Sequence, residues 1–240
     1  MEELGVRADP ELESRYFESL SQIRRCEREC GRKEGEVALL AAVKYASAGQ
    51  ITQLCELGLR DMGENRSDKL EADLPLIAPY PSVRMHFIGT LQTRKAKEVV
   101  PRVSLIHSID SKRLADAVAK AAAAAGITSS VLIEINVASE ESKSGALPDE
   151  APELAEYVAS LPGLSLEGFM TMGRAGLTPD GHYDEFSAFA RLSREIWSRL
   201  PGREGKPYLS MGMSESFEPA IAAGSDCVRI GRALFGHPAV

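Results

Sequence analysis

The chain has 240 residues, 44% of them hydrophobic, enough for a sizeable core and too many for global disorder. Its 28 Lys and Arg against 35 Asp and Glu leave a net charge of −7, which argues against general nucleic-acid binding through a basic surface. No apolar stretch reaches membrane-spanning length and the first residues, MEELGVRADP, carry no signal-peptide pattern, so a soluble, cytoplasmic protein without membrane contact is expected. The first predicted element is a helix over 10–30, with Asp9 as cap, Pro10 at the first helical position, and Leu12, Tyr16, Leu20 and Ile23 on one face. From there strands and helices alternate. Strands are predicted at 39–45, 59–63, 83–88, 103–109, 131–137, 164–170, 208–210 and 227–230. Helices fall between them at 50–57, 67–74, 93–100, from Asp110 or Ser111 to 125, and at 152–161, 182–200 and 218–223. A polar loop is expected over 139–145.

Eight strands alternating with helices point to a parallel sheet, and eight is the number that closes into a (β/α)8 TIM barrel. The reading is of one domain over 1–240, its first 35 residues forming an extra helix packed where a final helix would otherwise lie. Cys26, Cys30, Cys55 and Cys227 show neither disulfide nor zinc spacing, so reduced, mostly buried thiols and no metal are expected.

In such a barrel chemistry sits at the C-terminal strand ends. In order these are Lys44, then Gly63-Glu64-Asn65, His86 with Gly89, His107 with Ser108, Asn136, Thr171 with Met172, Ser210 to Ser214, and Arg229 with Gly231. Lys44 closes the apolar run Leu39-Leu40-Ala41-Ala42-Val43. It has two readings: a lysine whose ammonium snorkels to water, or an amine made nucleophilic by desolvation and ready to form a Schiff base. Gly212-Met213-Ser214 before a helix, and Gly231 beside an arginine, supply freed N–H groups and a hydroxyl suited to an anion. The loops after the last two strands are the usual phosphate site of these barrels. A strand-end lysine facing a phosphate cradle suits pyridoxal phosphate.

These segments also resemble a known family, the pyridoxal phosphate homeostasis proteins, related to the barrel domain of alanine racemase. The resemblance spans about 36–236. It is carried by Ala41-Ala42-Val43-Lys44, Gly63-Glu64-Asn65, His86-Phe87-Ile88-Gly89-Thr90-Leu91-Gln92, Ile106-His107-Ser108-Ile109-Asp110 and Glu134-Ile135-Asn136 with Ser142-Lys143-Ser144-Gly145. Further along come Gly168-Phe169-Met170-Thr171-Met172, Leu209-Ser210-Met211-Gly212-Met213-Ser214 and Val228-Arg229-Ile230-Gly231. It implies that Lys44 forms the Schiff base and that Ser214 and the Gly231 backbone hold the phosphate. It also implies that Ser210, Met213, Asn65 and Met172 belong to the pocket and that Arg229 faces the pyridine nitrogen. An arginine there keeps that nitrogen unprotonated, since two cations repel. His86 either faces the pocket or is a satisfied barrel histidine. Val43 and Arg232 depart from the family, which commonly has Ser or Thr at both places.

The implied function is a non-catalytic carrier that hands the cofactor to apo-enzymes. The alternatives are a pyridoxal phosphate-dependent amino-acid racemase and a lysine aldolase acting on a sugar phosphate. Racemases take a second base from a separate β-domain. With Val240 as its last residue, and with Tyr45 expected to turn away from Lys44 by strand alternation, this chain is expected to lack one.

Overall fold

The computed structural model describes residues 9–138 and 144–236; the opening residues, Val240, and Ser142 and Lys143 of the 139–145 loop lie outside the described residues. A helix, α1 (Pro10–Glu29), precedes β1 (Ala38–Ala42) and α2 (Ala48–Glu56). Next come β2 (Asp61–Glu64), α3 (Ser67–Ile77), β3 (Arg84–Phe87), a short α4 (Ala96–Val99), β4 (Leu105–Ile109) and α5 (Lys112–Ala125). The second half holds β5 (Ser129–Glu134), α6 (Ala151–Ser160), β6 (Leu164–Met170), α7 (Pro179–Arg199), β7 (Tyr208–Met213), α8 (Phe217–Ala222), β8 (Cys227–Ile230) and α9 (Arg232–Phe235). The eight strands are parallel and paired in sequence order, and β8 pairs back onto β1 to close the barrel.

Local chemistry sets most boundaries as the sequence implied. Asp9 accepts from the N–H groups of Glu11 and Leu12 ahead of Pro10, and Ser111 accepts from Leu114 N at the start of α5. Gly126 ends α5 in the left-handed conformation. Ser47 and Gln50 form a reciprocal capping box that starts α2 three residues after Lys44. Other boundaries move by a few residues: α3 continues through Pro75 to Ile77 where a stop was expected at 74, β5 ends at Glu134 rather than 137, and α7 begins at Pro179 rather than 182. The helix expected over 93–100 is two 3-10 turns around α4, because Pro101 denies it a continuing hydrogen bond. β7 runs on to Met213, carrying Met211 and Gly212 inside the sheet. β1 stops at Ala42, so Val43 to Tyr45 already belong to a turn.

α1 packs against α2, α8 and α9, which places it over the β8–β1 seam that the four-residue α9 leaves bare. The buried Glu27 fixes it there by accepting from the Gly35 and Val37 N–H groups, and Arg25 pairs with Glu218 on α8. Most of the apolar core lies between sheet and helices. Inside the barrel the apolar packing shrinks to Leu40, beside Asp61 and Arg229, and a cluster of Leu105, Leu132 and Met170 with Tyr208 against them. Asp61, His86, His107, Glu134, Ser210 and Arg229 are buried polar groups on the strands. Such barrels are ordinarily filled by branched aliphatics, so this interior is unusually polar.

Candidate functional site

The C-terminal strand ends open into a cavity of about 590 Å³. Lys44, Asn65, Met172, Met213, Ser214, Arg229 and Gly231 all line it, so seven of the eight residues expected from sequence meet at one mouth. Ser210 does not line it. It is fully buried one layer below, where it accepts from Arg229 Nη1 at 2.8 Å. The longer β7 explains this: three further strand residues separate Ser210 from the rim.

Lys44 is exposed at the rim, so the protein's own burial is not what would make its amine reactive. It has no ion pair among the described residues. Its Nζ stands 4.5 Å from the centroid of the Tyr45 ring, and Tyr45 is 62% exposed and lines the cavity beside it. This corrects the expectation that Tyr45 faces away. Alternation holds only within a strand, and β1 has ended before Tyr45.

The opposite wall is rigid and charged. Arg229 is buried, and burial lowers its pKa from the usual guanidinium value. Its two terminal nitrogens donate to Ser210 Oγ and to the Thr171 carbonyl, both at 2.8 Å. Glu134 lies close enough to interact with it electrostatically, and accepts from Ser144 Oγ at 2.9 Å. Burial pushes the Glu134 carboxyl up, with Ser144 and Arg229 opposing the shift. The sequence reading missed Glu134 as a wall residue; a carboxylate within the apolar run Val131-Leu132-Ile133 was the available signal, because burying a charge there is costly.

Ser214 accepts from the N–H groups of Gly231 at 3.3 Å and Ala233 at 3.2 Å, which leaves its own proton free to donate. Arg232, where the family commonly has a hydroxyl, lines the cavity, pairs with Glu215 at 2.8 Å and is half exposed. Asn65 Oδ1 is buried without a hydrogen-bond partner. Asn65 approaches so closely that a Cβ on Gly89 would sit 2.5 Å from its Cβ and backbone oxygen. His86 is the satisfied barrel histidine, bonded to His107 and Asp61 rather than facing the cavity. The four cysteines are free, and no cluster able to hold a metal occurs among the described residues.

A closed parallel barrel whose mouth gathers an exposed lysine with no ion pair among the described residues, a buried arginine and a serine bonded to the Gly231 loop has the chemistry that suits a phosphorylated carbonyl compound. Residues 21–238 match the alanine racemase N-terminal domain family. The pyridoxal phosphate homeostasis protein of Aquifex aeolicus is 38% identical over 224 residues, 93% of this chain and 96% of that protein. The crystal structure of an unknown protein from Bifidobacterium adolescentis superposes with a TM-score of 0.86 at 34% identity, covering 98% of this chain and 97% of that one. PipY of Synechococcus elongatus with pyridoxal phosphate bound gives 0.78 at 26% identity, covering 90% of this chain and all of PipY. This chain belongs to the pyridoxal phosphate homeostasis protein family, within the wider group that shares the alanine racemase N-terminal domain.

Proposed function

We propose that this protein binds pyridoxal phosphate covalently through Lys44 and holds it for delivery to apo-enzymes in the cytoplasm, rather than using it for efficient catalysis. The observation that carries this reading is a lysine amine free of ion pairs among the described residues, opening onto the same cavity as Arg229, Ser214 and Gly231. The donor set fits the cofactor. Ser214 and the Gly231 backbone would hold its phosphate, Arg229 its ring nitrogen, and the unpartnered Asn65 Oδ1 could accept from a further polar group. When bound, the cofactor supplies an aldehyde to the amine and an electron sink to any attached amino acid. A guanidinium donating to the ring nitrogen disfavours its protonation and weakens that sink.

The phosphate assignment has a selective test. Ser214→Ala should weaken retention of pyridoxal phosphate by about tenfold, the scale of one hydrogen bond to a charged group. Unphosphorylated pyridoxal should change by less than about twofold. Equal losses for the two ligands, measured by dialysis or titration, would take the phosphate away from Ser214.

Racemisation needs an acid/base group on each face of the reacting carbon. Lys44 and Tyr45 leave the same turn and stand on the same side of the mouth. Glu134 interacts with Arg229, the residue assigned to the ring nitrogen, and its other partner is Ser144. The loaded protein in deuterated water should therefore exchange the α-proton of L-alanine only negligibly. Rapid α-deuteration with accumulating D-alanine would replace the carrier reading with the enzymatic one.

A further inference from the structure

We propose that His107 and His86 are positioning residues for the Arg229 side of the cavity, ordering it through a one-way line of hydrogen bonds that runs down the barrel interior to Asp61. Arg229 Nη1 donates to Ser210 Oγ at 2.8 Å, and Ser210 Oγ lies 3.0 Å from His107 Nδ1. His107 Nε2 lies 2.9 Å from His86 Nδ1, and His86 Nε2 lies 3.1 Å from Asp61 Oδ1. Every one of these five side chains is buried. The line leaves the buried interior only beyond Asp61, where Arg84 donates to both carboxylate oxygens at 2.7 and 3.0 Å and is itself exposed.

The two ends decide the direction. A guanidinium can only donate, and an ionised carboxylate can only accept. Burial opposes charge on Asp61, but hydrogen bonds from His86 and Arg84 outweigh it and lower its pKa, so it is the acceptor. His86 therefore carries a proton on Nε2. His107 is wholly buried and near both His86 and Arg229, which keeps it neutral. With the His86 proton on Nε2, His86 Nδ1 is left to accept from His107 Nε2–H, and His107 Nδ1 accepts from the Ser210 hydroxyl. Ser210 has another neighbour in the Cys227 thiol, but sulfur is the weaker acceptor. All four links are then satisfied in one sense, Arg229 to Asp61. Only the reverse tautomer of His107 with a doubly protonated His86 would satisfy the links otherwise. The line fixes the Ser210 proton away from Arg229, so the guanidinium keeps a single orientation between Ser210 and the Thr171 carbonyl.

The chain has four histidines, so selective nitrogen-15 labelling gives a spectrum simple enough to read each tautomer. Each of His107 and His86 is expected to carry its proton on Nε2 and none on Nδ1. A proton on Nδ1 of either ring overturns the one-way line. A second arm, which rests on the proposed binding of pyridoxal phosphate, reads the visible band of the loaded protein. His107→Phe should shift that band and weaken cofactor retention about tenfold. His107→Gln, whose single amide can accept from Ser210 and donate to His86, should restore both to within about twofold of wild type. A phenylalanine variant indistinguishable from wild type, or a glutamine variant no better than phenylalanine, overturns the positioning role. Should the phenylalanine variant not fold, Ser210→Ala breaks the neighbouring link with less disturbance and carries the same expectation. A wild type with no visible band would count against the reading of the cavity, and the histidine tautomers alone would then judge the line.

Discussion

A Lys44→Ala protein should purify colourless, without the visible absorbance of covalently held pyridoxal phosphate, and should fold as well as the wild type. Both halves follow from the position of the side chain. Loss of the amine removes the nucleophile outright, so retention should fall to what Ser214, Gly231 and Arg229 supply without a covalent bond. Lys44→Arg keeps the charge but not the nucleophile and should be equally colourless. The fold is spared because Lys44 is exposed and its one partner is the Tyr45 ring, a contact worth about 0.5 to 1 kcal/mol at such a site. Other lysines are poorer candidates. Lys69 is held by Asp73 at 2.6 Å, Lys95 by Glu98 at 2.7 Å, and Lys206 by Asp226 at 2.7 Å. Borohydride reduction of the loaded wild type, followed by peptide mapping, should place one pyridoxyl group on the peptide containing Lys44. A label on Lys69 or Lys95 would refute the assignment.

The barrel was legible because its evidence is local. Most strands hold a short apolar run, most helices have a cap or a stop, and eight such pairs leave little choice of closure. The rim residues were legible for the same reason, since a residue at a strand end is at the mouth wherever the strand sits. The misplacements are one-turn errors with large consequences. Three more residues on β7 put Ser210 below the cavity, and three fewer on β1 turned Tyr45 into it. The Arg229-to-Asp61 line was not legible at all. His86 and His107 are 21 residues apart and Ser210 is 103 beyond His107, and only barrel register brings them together. Nor does a short apolar strand reveal which of its faces looks inward, so the polar interior stayed hidden among buried runs.

Gly168→Ala should be the most destabilising single-atom addition in the barrel, by roughly 4 kcal/mol or more. β5 and β6 slip register at this point: Val131 pairs with Leu166 but Leu132 with Gly168, so the exposed Glu167 is an extra residue in β6. The bulge bends β6 and brings Gly168 against Tyr208 of β7. A Cβ there would stand 2.0 Å from the Tyr208 carbonyl oxygen and 2.6 Å from its nitrogen. Both are main-chain atoms in a hydrogen-bonded strand, so neither can swing aside as a flexible side chain would. Relief requires β6 and β7 to part, which breaks barrel closure next to Ser210 and Met170. Gly202→Ala is the matched control: its φ is +70° but nothing lies within 4 Å of the added carbon, so only the backbone term remains, about 1 to 2 kcal/mol. Urea denaturation should show the midpoint of Gly168→Ala falling by more than about 1 M, with a clearly smaller fall for Gly202→Ala. Equal midpoints for the two variants would mean that β6 and β7 can separate at this point without loss, and that the barrel is looser there than its register implies.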